Sequence, residues 1–121
     1  MARVDERQSQ VDAVVISRHW KGITKPELAD RYVEHLKSDT FPKLSALPGF
    51  IRATVLRREV ESGSEFQVVT EWDSLDSIRG FAGSNVETAV VPDVARAMMV
   101  EYDATAVHYS VVTRVSARKS M

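Results

Sequence analysis

Histidine is the residue type in this 121-residue chain that is best suited to proton transfer near neutral pH. His108 lies within the β-branched run Thr105–Thr113, where burial would keep the imidazole neutral and able to accept a proton. His35 lies beside the apolar stripe of a predicted helix, near Tyr32. We therefore take His108 as the first candidate for a general base, and His35 and Tyr32 as candidate substrate-binding residues.

The histidines also have structural interpretations. A buried His108 bonded to the backbone or to a partner chain is as well supported as a role in a pocket. His35 is also typical of a partly exposed residue at a helix edge. Together with His19 these residues are separated by more than one element and lack an H-x-H spacing, so no metal site is predicted. The chain has no cysteine, which excludes thiolate nucleophiles, disulfides and cysteine-ligated metals.

A cation and several aromatic side chains could complete a pocket. Arg18 and Trp20 stand at the end of a predicted strand, where the guanidinium could stabilise a developing oxyanion. The alternative is a surface charge beside a tryptophan at a subunit contact. Trp72 ends another strand and could form an aromatic wall, although a tryptophan there is also typical of a core. Phe81 and Asn85 are further candidates, and Asn85 could equally serve turn geometry alone.

The bulk composition narrows the class of protein. With 44% hydrophobic and 27% charged residues, the chain is typical of a globular domain. A balance of 16 basic against 17 acidic residues gives a formal charge of -1, so neither nucleic acid nor an acidic membrane is an expected partner. The chain has no glycine-rich phosphate loop and no serine in a nucleophile elbow. Its polar start and lack of a long apolar run predict a cytoplasmic protein.

Short elements must position the candidate residues. The β-branched run Ala13–Trp20 precedes Lys21-Gly22, which predicts a first strand that ends in a turn. The run Thr24-Lys25-Pro26-Glu27 combines a capping threonine, a proline at the first helical position and a glutamate suited to a capping box. A helix is therefore predicted from here to about Lys37. Its apolar stripe contains Leu28, Ala29, Tyr32, Val33 and Leu36.

Turn signals divide the middle of the chain. Residues 38–40 break the helical pattern, residues 41–44 predict one more turn, and Leu47-Pro48-Gly49 marks a stop. Two strand-like runs, 50–60 and 65–72, are joined by a short link that contains glycine, which predicts a hairpin.

A second helical region follows the hairpin. Asp73 or Ser74 can cap a short helix that ends at Gly83. Pro92-Asp93 can start a further helical piece that would include Met98 and Met99, whereas residues 85–91 fit either helix or loop. The run Thr105–Thr113 then predicts the last strand.

The resulting order, β-α-β-β-α-β, predicts an α+β fold: a ferredoxin-like antiparallel sheet with both helices on one face. The domain is expected to span residues 13–113, between polar tails at residues 1–12 and 114–121. The first and last strands carry apolar residues at both parities, for example Val14 and Val15. Both faces of the sheet then need cover, and a second copy packed sheet against sheet is the simplest cover. We therefore expect a homodimer.

Three short motifs in this order resemble the antibiotic biosynthesis monooxygenase (ABM) domain family. They are Leu47-Pro48-Gly49-Phe50 before the second strand, Glu71-Trp72-Asp73-Ser74 followed by Ile78, Arg79 and Phe81, and Val107-His108-Tyr109 in the last strand. The resemblance spans about residues 13–112. It implies a dimeric α+β barrel built from two sheets, with a pocket in each subunit between its sheet and helices.

The resemblance also implies an activity. Members of the family oxidise polycyclic phenols without metal or flavin, or degrade haem. We therefore expect a monooxygenase without cofactor that oxidises a small aromatic or polyketide-like substrate, with His108 as base, Arg18 as oxyanion donor and Trp72 as pocket wall. The alternative is a non-catalytic dimeric protein that binds a small ligand.

Haem use is the least expected activity. A haem-degrading relative would carry an asparagine in strand one and a histidine in the helix after the tryptophan. Strand one of this chain offers Ser17, Arg18 and His19 instead, and the helix after Trp72 contains no histidine.

Overall fold

A computed structural model describes residues 14–118 of the chain. The strands are β1 (Ile16–Thr24), β2 (Phe50–Val60), β3 (Gly63–Trp72), β4 (Met99–Tyr102) and β5 (Val107–Ser110). The helices are α1 (Ala29–His35), α2 (Phe41–Ser45), α3 (Leu75–Ala82) and α4 (Asp93–Arg96); a 3-10 turn (Pro26–Leu28) precedes α1, and a π turn (Leu36–Thr40) links α1 to α2. The predicted N-terminal tail, residues 1–12, and residue 13 lie outside the described residues.

The strands form one antiparallel sheet in the order β2-β3-β1-β4, and β5 also pairs with β1. β4 and β5 lie along the same edge of β1: β4 pairs with residues 22–24 and β5 with residues 16–19. The predicted α+β, ferredoxin-like arrangement with helices on one face is confirmed. β1 is therefore the central strand that both halves of the chain flank.

The boundaries of β1 and of the last strands differ from those predicted. β1 does not turn at Lys21-Gly22 but continues to Thr24, because β3 and β4 pair with it on both sides up to that residue. The prediction that the last helical piece includes Met98 and Met99 is wrong. This helix, α4, ends at Arg96, and Met99 begins β4. The predicted last strand is shortened to Val107–Ser110.

The first helix starts without the predicted capping box. Thr24 is still in the strand and fully buried, and its Oγ1 has no hydrogen-bond partner among the described residues. The Lys25 N–H donates to the Met98 carbonyl at 2.9 Å, which extends the sheet pairing past Thr24. Pro26, as predicted, opens the first helical turn.

Residues 38–40 do not break the first helix but widen it. They belong to the π turn, in which the Phe41 N–H donates to the Leu36 carbonyl, five residues back. Pro42 has no N–H and its ring crowds the carbonyl four residues earlier, so a wider turn relieves the helix at this point. The predicted further turn at residues 41–44 is confirmed as α2.

The hairpin and the third helix follow the turn signals. β2 and β3 pair from Phe50↔Trp72 to Val60↔Gly63, so β3 starts two residues before the predicted bound of 65. Ser74 caps α3 by accepting a hydrogen bond from the Ser77 N–H at 3.1 Å. Gly83, with φ of 92°, ends α3 in a conformation that glycine tolerates.

The two faces of the sheet differ in character. The face that carries the helices buries the core, whose largest fully buried side chains are Trp72, Phe66, Leu44 and Ile78. The opposite face, here called the open face, carries Arg52, Thr54 and Arg58 of β2 and their cross-strand partners Glu71, Val69 and Glu65. Leu56, Val107 and Tyr109 are more than half exposed on the same face. The helices cover one face of the sheet and leave the other uncovered.

Gly22 provides a specific packing constraint. A Cβ atom at this position would lie 2.5 Å from Trp20 Cη2 and 3.1 Å from Met99 Sδ. We expect Gly22→Ala to lower the free energy of unfolding by about 1–3 kcal/mol, as overpacking of a core does. Urea denaturation measures this change.

Gly80→Ala is the matched control, because a Cβ at Gly80 meets nothing within 4 Å and the residue lies in α3. This variant should be stabilised by about 0.5–1 kcal/mol, since alanine favours helix over glycine. Equal effects of the two substitutions would contradict the packing described for Trp20.

Candidate functional site

A cavity of about 60 Å³, partly open to solvent, lies between the helices and the sheet. Its walls are mostly apolar. The sheet contributes Arg18, Trp20 and Thr70, the first helix contributes Tyr32 and His35, and α3 contributes Phe81. The remaining wall comes from residues 90–92 in the segment between α3 and α4, residues 83–92, which we call the connecting segment. Among the described residues that line the cavity none is acidic, and Arg18 is the one permanent charge.

Arg18 lies at the side of the cavity formed by β1 and is only 4% exposed. Its Nη2 donates to the Thr88 carbonyl at 2.8 Å, and its Nη1 donates to the Val86 carbonyl. Nη1 also lies 2.9 Å from His108 Nε2. The guanidinium therefore joins β1 to β5 and to the connecting segment.

The charge of Arg18 has no carboxylate partner among residues 14–118, in which every other buried charged side chain is ion-paired. Its acceptors are neutral groups, and its Cζ lies 5.6 Å from the centre of the Phe81 ring, a cation–π contact. Burial lowers the pKa of Arg18, although a guanidinium stays charged near neutral pH. An unpaired buried cation is costly unless hydrogen bonds or an anion compensate it.

His108 is the cross-strand partner of Arg18 and does not line the cavity. Because the guanidinium can only donate, His108 Nε2 must accept this hydrogen bond, which requires a neutral imidazole that carries its proton on Nδ1. Burial, and next the charge of Arg18, lowers the pKa of His108. The lone pair that a general base would use is thus directed at Arg18.

His35 lies in the helical wall of the cavity. Its Nε2 is buried and has no hydrogen-bond partner among the described residues. Unsatisfied buried polar atoms are rare in folded proteins, and strain, a catalytic role or a bound water or ion accounts for those that occur. His35 is therefore the histidine of the cavity lining, and its Nε2 is left without a partner among the described residues.

Two aromatic residues complete the walls. The Trp20 indole N–H donates to the Asp103 carbonyl at 2.8 Å, which fixes the ring over the position of Gly22. Tyr32 is 3% exposed and packs edge to face on Phe66 at 5.0 Å between ring centres. Burial raises the pKa of the Tyr32 hydroxyl well above its ordinary value, so it stays protonated and can donate a hydrogen bond.

Like His108, the candidate residues Trp72 and Asn85 lie outside the cavity. Trp72 is fully buried and stacks on Phe81 at 5.9 Å, and its indole N–H donates to Thr70 Oγ1 at 2.9 Å. It therefore supports two lining residues rather than forming the wall. The Asn85 side chain accepts a hydrogen bond from the Glu87 N–H at 3.1 Å. This bond is typical of a local turn, which was the alternative to a role in the cavity.

The structure thus brings together Arg18, Trp20, Tyr32, His35 and Phe81 from the candidate residues. Sequence patterns missed the carbonyls of Val86 and Thr88, because backbone acceptors have no signature in side-chain type. They also missed Thr70, which joins Trp72 to the cavity. The alternation of Thr70 with Val68 on one strand face is the signal that could have found it.

Neither a metal cluster nor a membrane helix occurs in the part of the chain that the structure describes. No group of three or more potential ligands among residues 14–118 could hold a metal ion. In the same range no helix is long and apolar enough to cross a bilayer.

The fold and the cavity define an α+β protein with an apolar cavity between sheet and helices. The family model of antibiotic biosynthesis monooxygenases matches residues 14–93, more than half of the chain. The chain belongs to this family. The comparison with curated proteins found no match.

Solved structures with the same fold have diverse functions. A monooxygenase from the gene ActVA-Orf6 of Streptomyces coelicolor, in complex with nanaomycin D, is 15% identical, with 88% of this chain and 95% of that chain covered and a TM-score of 0.61. A heme-degrading protein of Mycobacterium tuberculosis is 21% identical, with 87% and 99% covered and a TM-score of 0.55. A dimeric ferredoxin-like protein from an uncultured marine organism is 15% identical, with 92% and 99% covered and a TM-score of 0.55. Identities this low establish the shared fold alone, and they do not establish a shared activity.

The bond between His108 and Arg18 predicts how stability depends on pH. The folded state lowers the pKa of His108, so below about pH 6.5 the unfolded chain takes up a proton that the folded chain resists. Stability is then fully present above that pH and falls as the pH decreases through it. Unfolding free energies by urea denaturation at about pH 7.5 and about pH 5.5 measure the loss.

His108→Gln should reduce this loss, because glutamine has no imidazole to protonate. His19→Gln is the matched comparison, since burial alone lowers the pKa of His19 and its partner is Ser17 rather than a cation. An identical pH dependence for wild type and His108→Gln would show that His108 is not held neutral beside Arg18.

Proposed function

We propose that the protein is a monooxygenase that oxidises a small aromatic substrate in the cavity and needs no bound cofactor. The observation that carries the proposal is that one apolar cavity is lined by Arg18, a buried cation with no carboxylate partner among the described residues, and by His35, whose Nε2 has no hydrogen-bond partner among them. A base and a cation on one cavity are the groups needed to form and stabilise a substrate anion. Membership of the ABM family and the likeness to the Streptomyces monooxygenase support this choice.

The reaction begins with removal of a proton from a phenol or from an activated CH₂ group. His35 Nε2 accepts the proton, and the resulting phenolate or enolate oxygen lies against the Arg18 guanidinium. The anion is electron-rich enough to transfer an electron to dioxygen, and recombination of the two radicals forms a C–O bond. Loss of water from the hydroperoxide then leaves a carbonyl. For an activated CH₂ group the balance is R₂CH₂ + O₂ → R₂CO + H₂O.

The apolar walls support the same chemistry. Trp20 and Phe81 exclude water from the reacting anion, which strengthens its interaction with Arg18. Tyr32 keeps its hydroxyl proton and so can donate to a substrate oxygen without competing for the proton.

The base is therefore proposed to be His35 rather than His108, the first candidate from residue type and position. His108 Nε2 accepts from Arg18, whereas His35 lines the cavity and its Nε2 has no partner among the described residues. In this proposal Arg18 keeps its predicted role at the oxyanion. Trp72 acts through Thr70 and Phe81, which it contacts directly.

A non-catalytic binding protein is the second candidate. The specific observation in its favour is the small volume, about 60 Å³, whereas pockets for drug-sized ligands usually measure about 300–1,000 Å³. A polycyclic substrate fits only if the connecting segment moves or if part of the ligand protrudes through the mouth. Binding without turnover of a single-ring compound would favour this candidate.

The cavity does not fit haem. A tetrapyrrole is far larger than a space of about 60 Å³, and α3, the helix after Trp72, contains no histidine. Titration with haem should give no sharp Soret band.

The open face supports a homodimer that forms the expected α+β barrel. This face lacks helices and exposes Leu56, Val107 and Tyr109, each more than half accessible. A second copy packed on it would bury these side chains. The dimeric ferredoxin-like protein with this fold is consistent with such an assembly.

His35→Ala should reduce oxygen uptake with an anthrone- or hydroquinone-type substrate by about 10²-fold or more, as loss of a general base does. Oxygen-electrode measurements provide the rate. Glu34→Ala is the matched control, because Glu34 is the exposed neighbour of His35 on α1 and should keep the wild-type rate. His108→Ala should give a smaller loss, since it disturbs Arg18 but removes no proton acceptor. A larger loss in His108→Ala than in His35→Ala would return the base to His108 and contradict the proposal.

Light scattering during size-exclusion chromatography should give twice the monomer mass at micromolar concentration. Tyr109→Glu should shift the protein towards the monomer mass, because it places a charge in the proposed interface. Val94→Glu is the control, since Val94 is 58% exposed on α4, on the helical side of the sheet. A wild-type monomer would rule out the proposed assembly.

A further inference from the structure

We propose that the cavity selects a single-ring aromatic compound in its anionic form, with the charged oxygen on the unoccupied edge of Arg18. The inference rests on the proposed function for the location of the site, and it adds the charge and size of the ligand. The shared chemistry is an aryl ring that bears a carboxylate or an ionised hydroxyl.

The balance of charge in the cavity favours an anion. Arg18 is 4% exposed, and no described residue places a carboxylate within ion-pair distance of it. Glu87 is near enough to raise the pKa of His108, but it is exposed and does not pair with Arg18. The described lining of the cavity contains no aspartate or glutamate. A ligand anion would therefore meet one positive charge and no acidic wall.

The guanidinium also has donors to spare. Arginine has five N–H donors, and the acceptors of Arg18 among the described residues are the Val86 carbonyl, the Thr88 carbonyl and His108 Nε2. All of these bond Nη1 or Nη2, so Nε and one further N–H have no acceptor among these residues. Charge-assisted bonds to an anionic oxygen are stronger than bonds to a neutral one. The free donors therefore favour an anion over its neutral analogue.

The size and shape of the cavity favour one ring. A cavity of about 60 Å³ holds only a few water molecules, because one water needs roughly 10–15 Å³ of such space. A single ring can enter if part of it occupies the open mouth. Trp20 and Phe81 offer aromatic surfaces to that ring, and Phe81 already contacts the guanidinium. Small inorganic or aliphatic anions would satisfy Arg18 but leave these surfaces unfilled.

His35 supplies the second polar contact. His35 lines the helical wall and Arg18 lines the sheet wall, so a ligand in the cavity lies between the two residues. A single-ring acid with a ring hydroxyl, such as 4-hydroxybenzoate, matches both groups. The extra hydroxyl should bond His35 Nε2, which has no partner among the described residues.

Isothermal titration calorimetry on the full chain, with four probes that differ in charge or shape, tests the proposal. Benzoate should bind about tenfold or more tightly than benzamide, its neutral analogue of similar shape, and than acetate, which has the charge without the ring. 4-Nitrophenol should bind more tightly above its ionisation pH than below it. A stronger response to benzoate than to ionised nitrophenol identifies a carboxylate site, and the reverse order identifies a phenolate site.

Several outcomes would overturn the inference. They are equal affinities for benzoate and benzamide, equal affinities for benzoate and acetate, or no binding of any probe. Arg18→Gln should abolish the preference for benzoate over benzamide, and Arg52→Gln, on the open face, should retain it. Arg18→Gln removes hydrogen bonds to the connecting segment and can unfold the chain. If this variant unfolds, the comparison of the four probes on the wild-type protein is sufficient to decide the question. Anion-selective binding without oxygen uptake would support this inference and reject the proposed oxygenase activity. Oxygen uptake without charge selectivity would support the oxygenase activity and reject this inference.

Discussion

The buried guanidinium of Arg18 is the interaction on which the site depends. It bonds the carbonyls of Val86 and Thr88, and it lies 2.9 Å from His108 Nε2, so one side chain ties the central strand to β5 and to the connecting segment. These partners are neutral, so they accept from three of the five N–H donors of Arg18 without cancelling its charge. The result is a rigid cation on the wall of an apolar cavity, held in place before any ligand arrives. Such preorganisation is how proteins stabilise negative charge on a bound molecule.

Packing around this cation fixes the remaining walls. Trp72 holds Phe81 by stacking and Thr70 by a hydrogen bond, and Phe81 in turn covers the guanidinium. Trp20 is set by the Asp103 carbonyl and by the absence of a side chain at Gly22. The core and the site are therefore built from the same contacts. A substitution at Trp72 or Gly22 should alter the shape of the cavity, although neither residue lines it.

Local signals predict most of the fold. Gly63 and Gly83 have positive φ angles, which glycine adopts readily, and they lie at the start of β3 and at the end of α3. The errors fall where long-range pairing overrides local preference: Thr24 has the features of a helix cap, but strands on both sides of β1 hold it in the sheet. Residue type also predicts five of the side chains that line the cavity: Arg18, Trp20, Tyr32, His35 and Phe81. The roles of His35 and His108, however, depend on which imidazole nitrogen already has a partner, and sequence position does not reveal that. The carbonyl acceptors of the guanidinium are backbone atoms, which any residue type could supply.

A crystal structure of the protein in complex with benzoate would test the central claim most directly. We expect the carboxylate to lie within hydrogen-bond distance of Arg18, with the carbonyls of Val86 and Thr88 still bonded to the guanidinium and the ring between Trp20 and Phe81. An aspartate or glutamate within about 4 Å of Arg18, from the same chain or from a partner, would contradict the account, because the cation would then already be neutralised.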